Sequence, residues 1–169
     1  ITNYEYSTDG GASWAAFTPS DASSPVAITG LTNGTTYAIG LRAVNAAGSG
    51  TAAAIVSSIA ADTPNAPLAL SATAGDAQVS VAFTPPSNNG GSTITNYEYS
   101  TDGGTSWAAF NPTNASSPVV ITGLTNGTTY ALGLRAVNAA GSGTASANVI
   151  STPLAIPNAP TGLSATAGD

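Results

Sequence analysis

The chain contains no cysteine, methionine, histidine or lysine, and its two cations are Arg42 and Arg135. Without Cys, His or Lys, most nucleophilic, acid–base and zinc chemistry is excluded. Calcium lacks both a D-x-D-x-[DN]-G loop and any acidic cluster. No cofactor and no metal is therefore expected. The missing cysteines leave the redox compartment open, because small secreted domains often need disulfides while a sandwich of about 90 residues can hold on its core alone.

Charge is scarce as well. Charged residues make up 6% of the chain, against about a quarter in ordinary domains, so the surface must be built from Ser, Thr, Asn, Gly and Ala. A net charge of −6 with two cations argues against nucleic acid, which needs a basic footprint, and against anionic membrane surfaces. No apolar run approaches the roughly 20 residues of a membrane helix, so membrane insertion is not expected. Neither an initiator Met nor a signal peptide is visible, and the expectation is that the chain starts inside something longer.

What the chain does have is repetition. Residues 1–76 align with 94–169 at a constant offset of 93, and 60 of the 76 positions are identical. A period of 93 is a whole small domain, longer than any solenoid unit. Eight of the 16 differences fall within 53–63 against 146–156. That stretch runs into PNAP, at Pro64–Pro67 and again at Pro157–Pro160, where proline and asparagine mark a junction. The expected organisation is a partial domain over 1–63, a complete one over 64–153, and a linker with the first strand of a third repeat over 154–169.

Within the complete copy, short alternating runs lie between turn signals. They predict strands at 68–73, 78–84, 94–100, 106–110, 118–124, 129–138 and 144–152. Val79, Val81 and Phe83 share one face, Tyr97 and Tyr99 share one, and Tyr130, Leu132, Leu134 and Ala136 point inward. Seven strands without helical periodicity predict an all-β fold of tandem antiparallel β-sandwiches, the first of them incomplete.

The stretches APLALSATAGDAQVSVAFTPPSNNGG (66–91) and LTNGTTYALGLRAVNAAGSG (124–143) resemble the fibronectin type III family, an immunoglobulin-like sandwich, in the form found in bacterial secreted and surface proteins. The resemblance covers the whole chain in register with the repeat. It is strongest in L-x-x-G-T-x-Y, R-A-V-N and G-x-G, at Leu31–Gly50 and Leu124–Gly143. It implies a tyrosine corner at Tyr37 and Tyr130. It also implies strands A, B and E in one sheet and C′, C, F and G in the other. Phe83 departs from the family, which often has Trp there. With strands C and F as neighbours, outward-facing Glu5–Arg42 and Glu98–Arg135 are predicted to pair, each worth at most about 1 kcal/mol.

On this reading the first repeat lacks strands A and B. Missing the equivalents of Val79, Val81 and Phe83 removes roughly 5–8 kcal/mol of burial, comparable to the stability of a small domain. A donated A strand alone finds no partner, because B lies between A and E. Two accounts remain: the residues are an excerpt from a long array, or a B strand arrives from another chain.

The segments Ser7–Trp14 and Ser100–Trp107 read S-x-D-x-G-x-S-W, which resembles the Asp-box of sialidases. There the motif is a structural hairpin remote from the catalytic centre, so the resemblance implies no hydrolysis. Asp9 and Asp102 head D-G-G turns, a hairpin signal, and are expected to bind the turn's amides. Glycosidases need two carboxylates about 5–10 Å apart, and Glu98 and Asp102 are the only candidates close in sequence. Nothing else in the repeat would polarise them, so no catalytic residue is expected. Trp14 and Trp107 are the candidate ligand face, for carbohydrate or protein, unless each ring packs on its own hairpin. No R-G-D triplet occurs. Glycosylation sequons stand at Asn33, Asn114 and Asn126.

The expected role is a non-catalytic structural repeat of an extracellular or cell-surface protein, as a stalk, adhesin shaft or fibre building block. Its partners would be neighbouring repeats, with self-association into filaments through weakly charged edge strands. The alternatives are a carbohydrate- or protein-binding module, and a linker domain within a secreted polysaccharide-degrading enzyme.

Overall fold

Gln78–Thr84 sets Val79, Val81 and Phe83 on one face and Gln78, Ser80, Ala82 and Thr84 on the other, and this is what a strand with one buried face requires. In the computed structural model, which describes residues 1–166 and 168, the segment is a strand with Val79 and Val81 fully buried and Phe83 7% exposed. Every element described is a β-strand or a turn. The chain divides into two compact units, one of Ile1–Asn65, Pro86–Thr95 and Val137–Thr144, the other of Ala66–Pro85, Asn96–Ala136 and Ala145–Asp169.

The first repeat supplies β1 (Asn3–Ser7), β2 (Ala15–Ala16), β3 (Thr36–Asn45), β4 (Gly48–Ser49) and β5 (Val56–Ile59). They form one antiparallel sheet in the order β2-β1-β3-β4, with β5 also pairing β3. Glu5 stands opposite Arg42 in the β1–β3 ladder.

The second repeat supplies β6 (Leu68–Gly75), β7 (Gln78–Thr84), β8 (Asn96–Ser100), β9 (Ala108–Ala109), β10 (Val119–Thr122), β11 (Tyr130–Asn138), β12 (Gly141–Ser142) and β13 (Val149–Ser151). One sheet has the order β10-β7-β6, the other β12-β11-β8-β9 with β13 pairing β11. These are the A–B–E and C′–C–F–G groupings that the family resemblance implies. Val79, Val81, Tyr97, Val119, Ile121, Leu132, Leu134 and Ala136 are all at most 1% exposed and form the core between them. Each fully buried aliphatic side chain is worth roughly 1.5–3 kcal/mol. The Phe83 ring packs edge-on against Tyr97, centroids 4.6 Å apart.

Several strands are shorter than the alternation suggests, while β6 runs two residues past the expected end at Thr73. The run expected at 106–110 pairs only over β9, and that at 144–152 only over β13, while the short β12 was not anticipated. No strand forms over residues 152–166, where the start of a third repeat was expected. The corresponding stretch of the second repeat, β6, is held by β7, whereas no described strand pairs with 157–166. Ala167 and Asp169 of that segment lie outside the described residues.

Candidate functional site

The residues singled out by sequence converge on the hairpin joining β1 to β2, and on its copy joining β8 to β9. In the first, Ser7 Oγ donates to Asp9 Oδ1 at 2.7 Å and accepts the Gly11 amide at 2.7 Å. The Ser13 amide reaches Asp9 Oδ1 at 2.9 Å, and the Ser13 hydroxyl donates to Oδ2. In the second, Ser100 Oγ donates to Asp102 Oδ1 at 2.7 Å, and Ser106 donates its amide at 2.9 Å and its hydroxyl at 2.6 Å. Hydrogen bonds to the charged form favour it. Both Asp carboxyls are therefore held well below the usual range, first by the Ser13 and Ser106 hydroxyls and then by the amides of the same residues.

Each Trp closes its own hairpin. Trp14 Nε1 donates to the Gly11 carbonyl and Trp107 Nε1 to that of Gly104, both at 3.1 Å. Both indoles are half-buried. Gly133 makes room for one of them: a Cβ there would meet Asn148 Oδ1 at 2.7 Å and Trp107 Cη2 at 3.4 Å.

The lone cation of each repeat completes the cluster. Arg42 Nε donates to Glu5 Oε2 at 2.6 Å, and its guanidinium lies over the Trp14 ring, 4.4 Å from the centroid. Arg135 pairs with Glu98 and lies 4.6 Å from the Trp107 centroid. Ser49 Oγ also donates to Glu5 Oε2 at 2.8 Å, and with Arg42 it lowers the Glu5 pKa. The side chains of both ion pairs are 19–29% exposed, which keeps each pair within the modest range of surface bridges. Glu98 and Asp102 are thus engaged by different partners.

Elsewhere, Tyr37 OH accepts the Thr32 amide and Tyr130 OH the Thr125 amide, each at 3.0 Å. Asn126 accepts the Ala77 amide at 2.8 Å and donates to Asp76 Oδ1 at 2.6 Å, tying its loop to the β6–β7 turn. Asn114 accepts the Ser116 amide at 3.0 Å, and Asn33 is exposed.

Sequence reasoning set Arg against Glu and left Trp open between its own hairpin and a ligand face, and it missed the stacking of Arg on Trp. The signal was the spacing Gly40-Leu41-Arg42. A glycine two residues before an arginine shares its face and leaves space for a ring beside it. The Asn126 clamp left no comparable signal, because its partners lie 49 and 50 residues away.

A family model described as "Fibronectin type III domain" matches residues 65–152. Among solved structures, the chain is similar to the FN1–FN3 domains of chicken CNTN1, with a TM-score of 0.57, 16% identity and coverage of 91% of this chain and 57% of that one. It is similar also to domains A168–A170 of titin, with a TM-score of 0.57, 17% identity and coverage of 91% and 55%. The chain thus spans little more than half the length of each.

Proposed function

The chain belongs to the fibronectin type III family, and from that premise we propose that it is a non-catalytic structural repeat of an extracellular or cell-surface protein, serving as a stalk, adhesin shaft or fibre building block. The observation that carries this reading is the Glu–Arg–Trp–Asp–Ser cluster, whose Glu–Arg, Arg–Trp and Asp–Ser contacts recur in both repeats. In each copy the carboxylates, the guanidinium and the indole N–H are engaged by one another or by the hairpin's own backbone. A reactive or recognition site keeps groups free for a substrate, whereas here the polar chemistry stabilises the module that carries it. Near-identical modules then add length by addition.

Electron microscopy of the native material tests the proposal: rods or filaments are expected, and isolated soluble particles overturn it. The binding-module alternative has its own readout. Addition of polysaccharides is expected to leave Trp fluorescence unchanged, and a saturable shift would favour a sugar platform on Trp14 and Trp107.

A further inference from the structure

β10 is the outermost strand of its sheet, with β7 as its partner on one side. On the other side lies a cleft of about 230 Å³, lined in part by Tyr99 and Phe110, a tilted pair with ring centroids 4.8 Å apart. No described strand pairs with that side, so its N–H and C=O groups are open to another strand. Proteins usually guard such an edge with charge. Here there is none: no charged residue occurs from Gly103 to Leu134. The strand reads Val-Val-Ile-Thr, β-branched throughout and well suited to pairing. The two repeats differ at this place. Where the first has Asp21 and Ala27, the second has Asn114 and Val120, and Asp21 lies in the lining of the first repeat's corresponding cleft. One difference removes a carboxylate from the neighbourhood of the edge. The other enlarges an apolar side chain that is 45% exposed.

We propose that the outer edge of β10 pairs with β10 of a second copy, antiparallel about a two-fold axis through Val120. Charge selects the occupant. A chain of net charge −6 repels its own copies least where it carries no charge. The two arginines that could answer an acidic partner are already held by Glu5 and Glu98. Alternation then selects the register. Residues directly opposite in a sheet point to the same face. Val119 and Ile121 point inward, at 0% and 1% exposed, and Val120 points outward. A two-fold axis perpendicular to the sheet keeps the two inner faces together, so inward residues must oppose inward ones. Centred on Val120, it sets Val119 opposite Ile121 of the second copy and Val120 opposite its own equivalent. Centred on Ile121 instead, Val119 would face Gly123, which at φ 76° has left the strand. Two three-stranded sheets thereby join into one of six strands. So short an edge makes the pairing weak and concentration-dependent. This inference rests on the structural-repeat reading and names the edge by which two such modules lie side by side.

Because the chain has no cysteine, a single introduced thiol reports the register. Opposite residues of an antiparallel pair lie about 4.5–5.5 Å apart between Cα atoms, within the roughly 4.4–6.8 Å that a disulfide spans. Under mild oxidation the 169-residue Val120→Cys chain is expected to give a covalent dimer. Ala82→Cys, exposed on the same face of β7, is expected to stay monomeric, because the two β7 strands would stand about 14 Å apart. Val120→Glu places a carboxylate opposite its own twin. It is expected to raise the dimer dissociation constant by about tenfold or more, read by sedimentation against the wild-type chain. Ala27→Glu, the equivalent change in the first repeat, is expected to leave that constant unchanged. The proposal is overturned if the wild-type chain stays monomeric at every concentration, if both cysteine variants cross-link alike, or if Val120→Glu associates as the wild type does. Single rods that never pair would retain the structural-repeat reading and remove this one. Val120-dependent dimers of a native protein that forms no rods would do the reverse.

Discussion

Ala69 sits at φ 52°, in the left-handed region, where β6 changes register against β7 between Leu68 and Ser71. A Cβ there costs on the order of 1 kcal/mol, and glycine relieves it. The repeat carries its own control, since the residue 93 positions later is Gly162, at φ 74°. Ala69→Gly is expected to stabilise the second repeat by about 0.5–1 kcal/mol, read as a raised thermal midpoint. Tyr97 offers the opposite kind of irregularity. Its hydroxyl is buried with no partner, and burial pushes its pKa up. A buried unsatisfied polar group costs about 1–3 kcal/mol. Tyr97→Phe is therefore expected to leave stability unchanged or raise it, and a clear loss in a denaturant melt would mean the hydroxyl has a partner.

The hairpin between β8 and β9 is held from beneath as well as within. Gly133→Ala would place a methyl against Asn148 and the edge of Trp107. Overpacking of this kind costs typically about 1–3 kcal/mol. The variant is expected to lower the midpoint and shift Trp emission to the red, as the indole lifts toward water. How much of this was legible in advance differs by element. β7 was readable because one face is buried along its whole length and alternation survives intact, and β11 because Leu132, Leu134 and Ala136 fall on one buried face. β9 and β13 were over-extended, because two or three paired residues leave too little pattern to mark an end. The Asp turns could be placed from local spacing, and the Tyr corners from the family resemblance. The Arg–Trp stack depends on two elements meeting, and only the Gly before the Arg hinted at it.

Across the whole molecule, Glu5, Asp9, Asp21 and Asp102 all have lowered pKa values, and in each case a serine hydroxyl is the leading cause. A carboxylate with a depressed folded pKa adds stability that is complete above its unfolded value, near 4, and is lost as pH falls through the folded one. Stability is thus expected to be level at neutral pH and to decline below about pH 4, as followed by thermal melts across an acid series. Asp102→Asn should flatten part of that decline, since an amide keeps one acceptor and cannot titrate. An undiminished acid slope in the variant would assign the effect to other groups. The placement of the two arginines has a different consequence. Proteases that cut after basic residues have two cleavable bonds in 169 residues, and both lie inside strands, β3 and β11, with the guanidinium pinned between a carboxylate and an indole. Such a protease has nothing to grip until a strand leaves its sheet, so the same contacts that fix the hairpin make the chain resistant to proteases of that specificity.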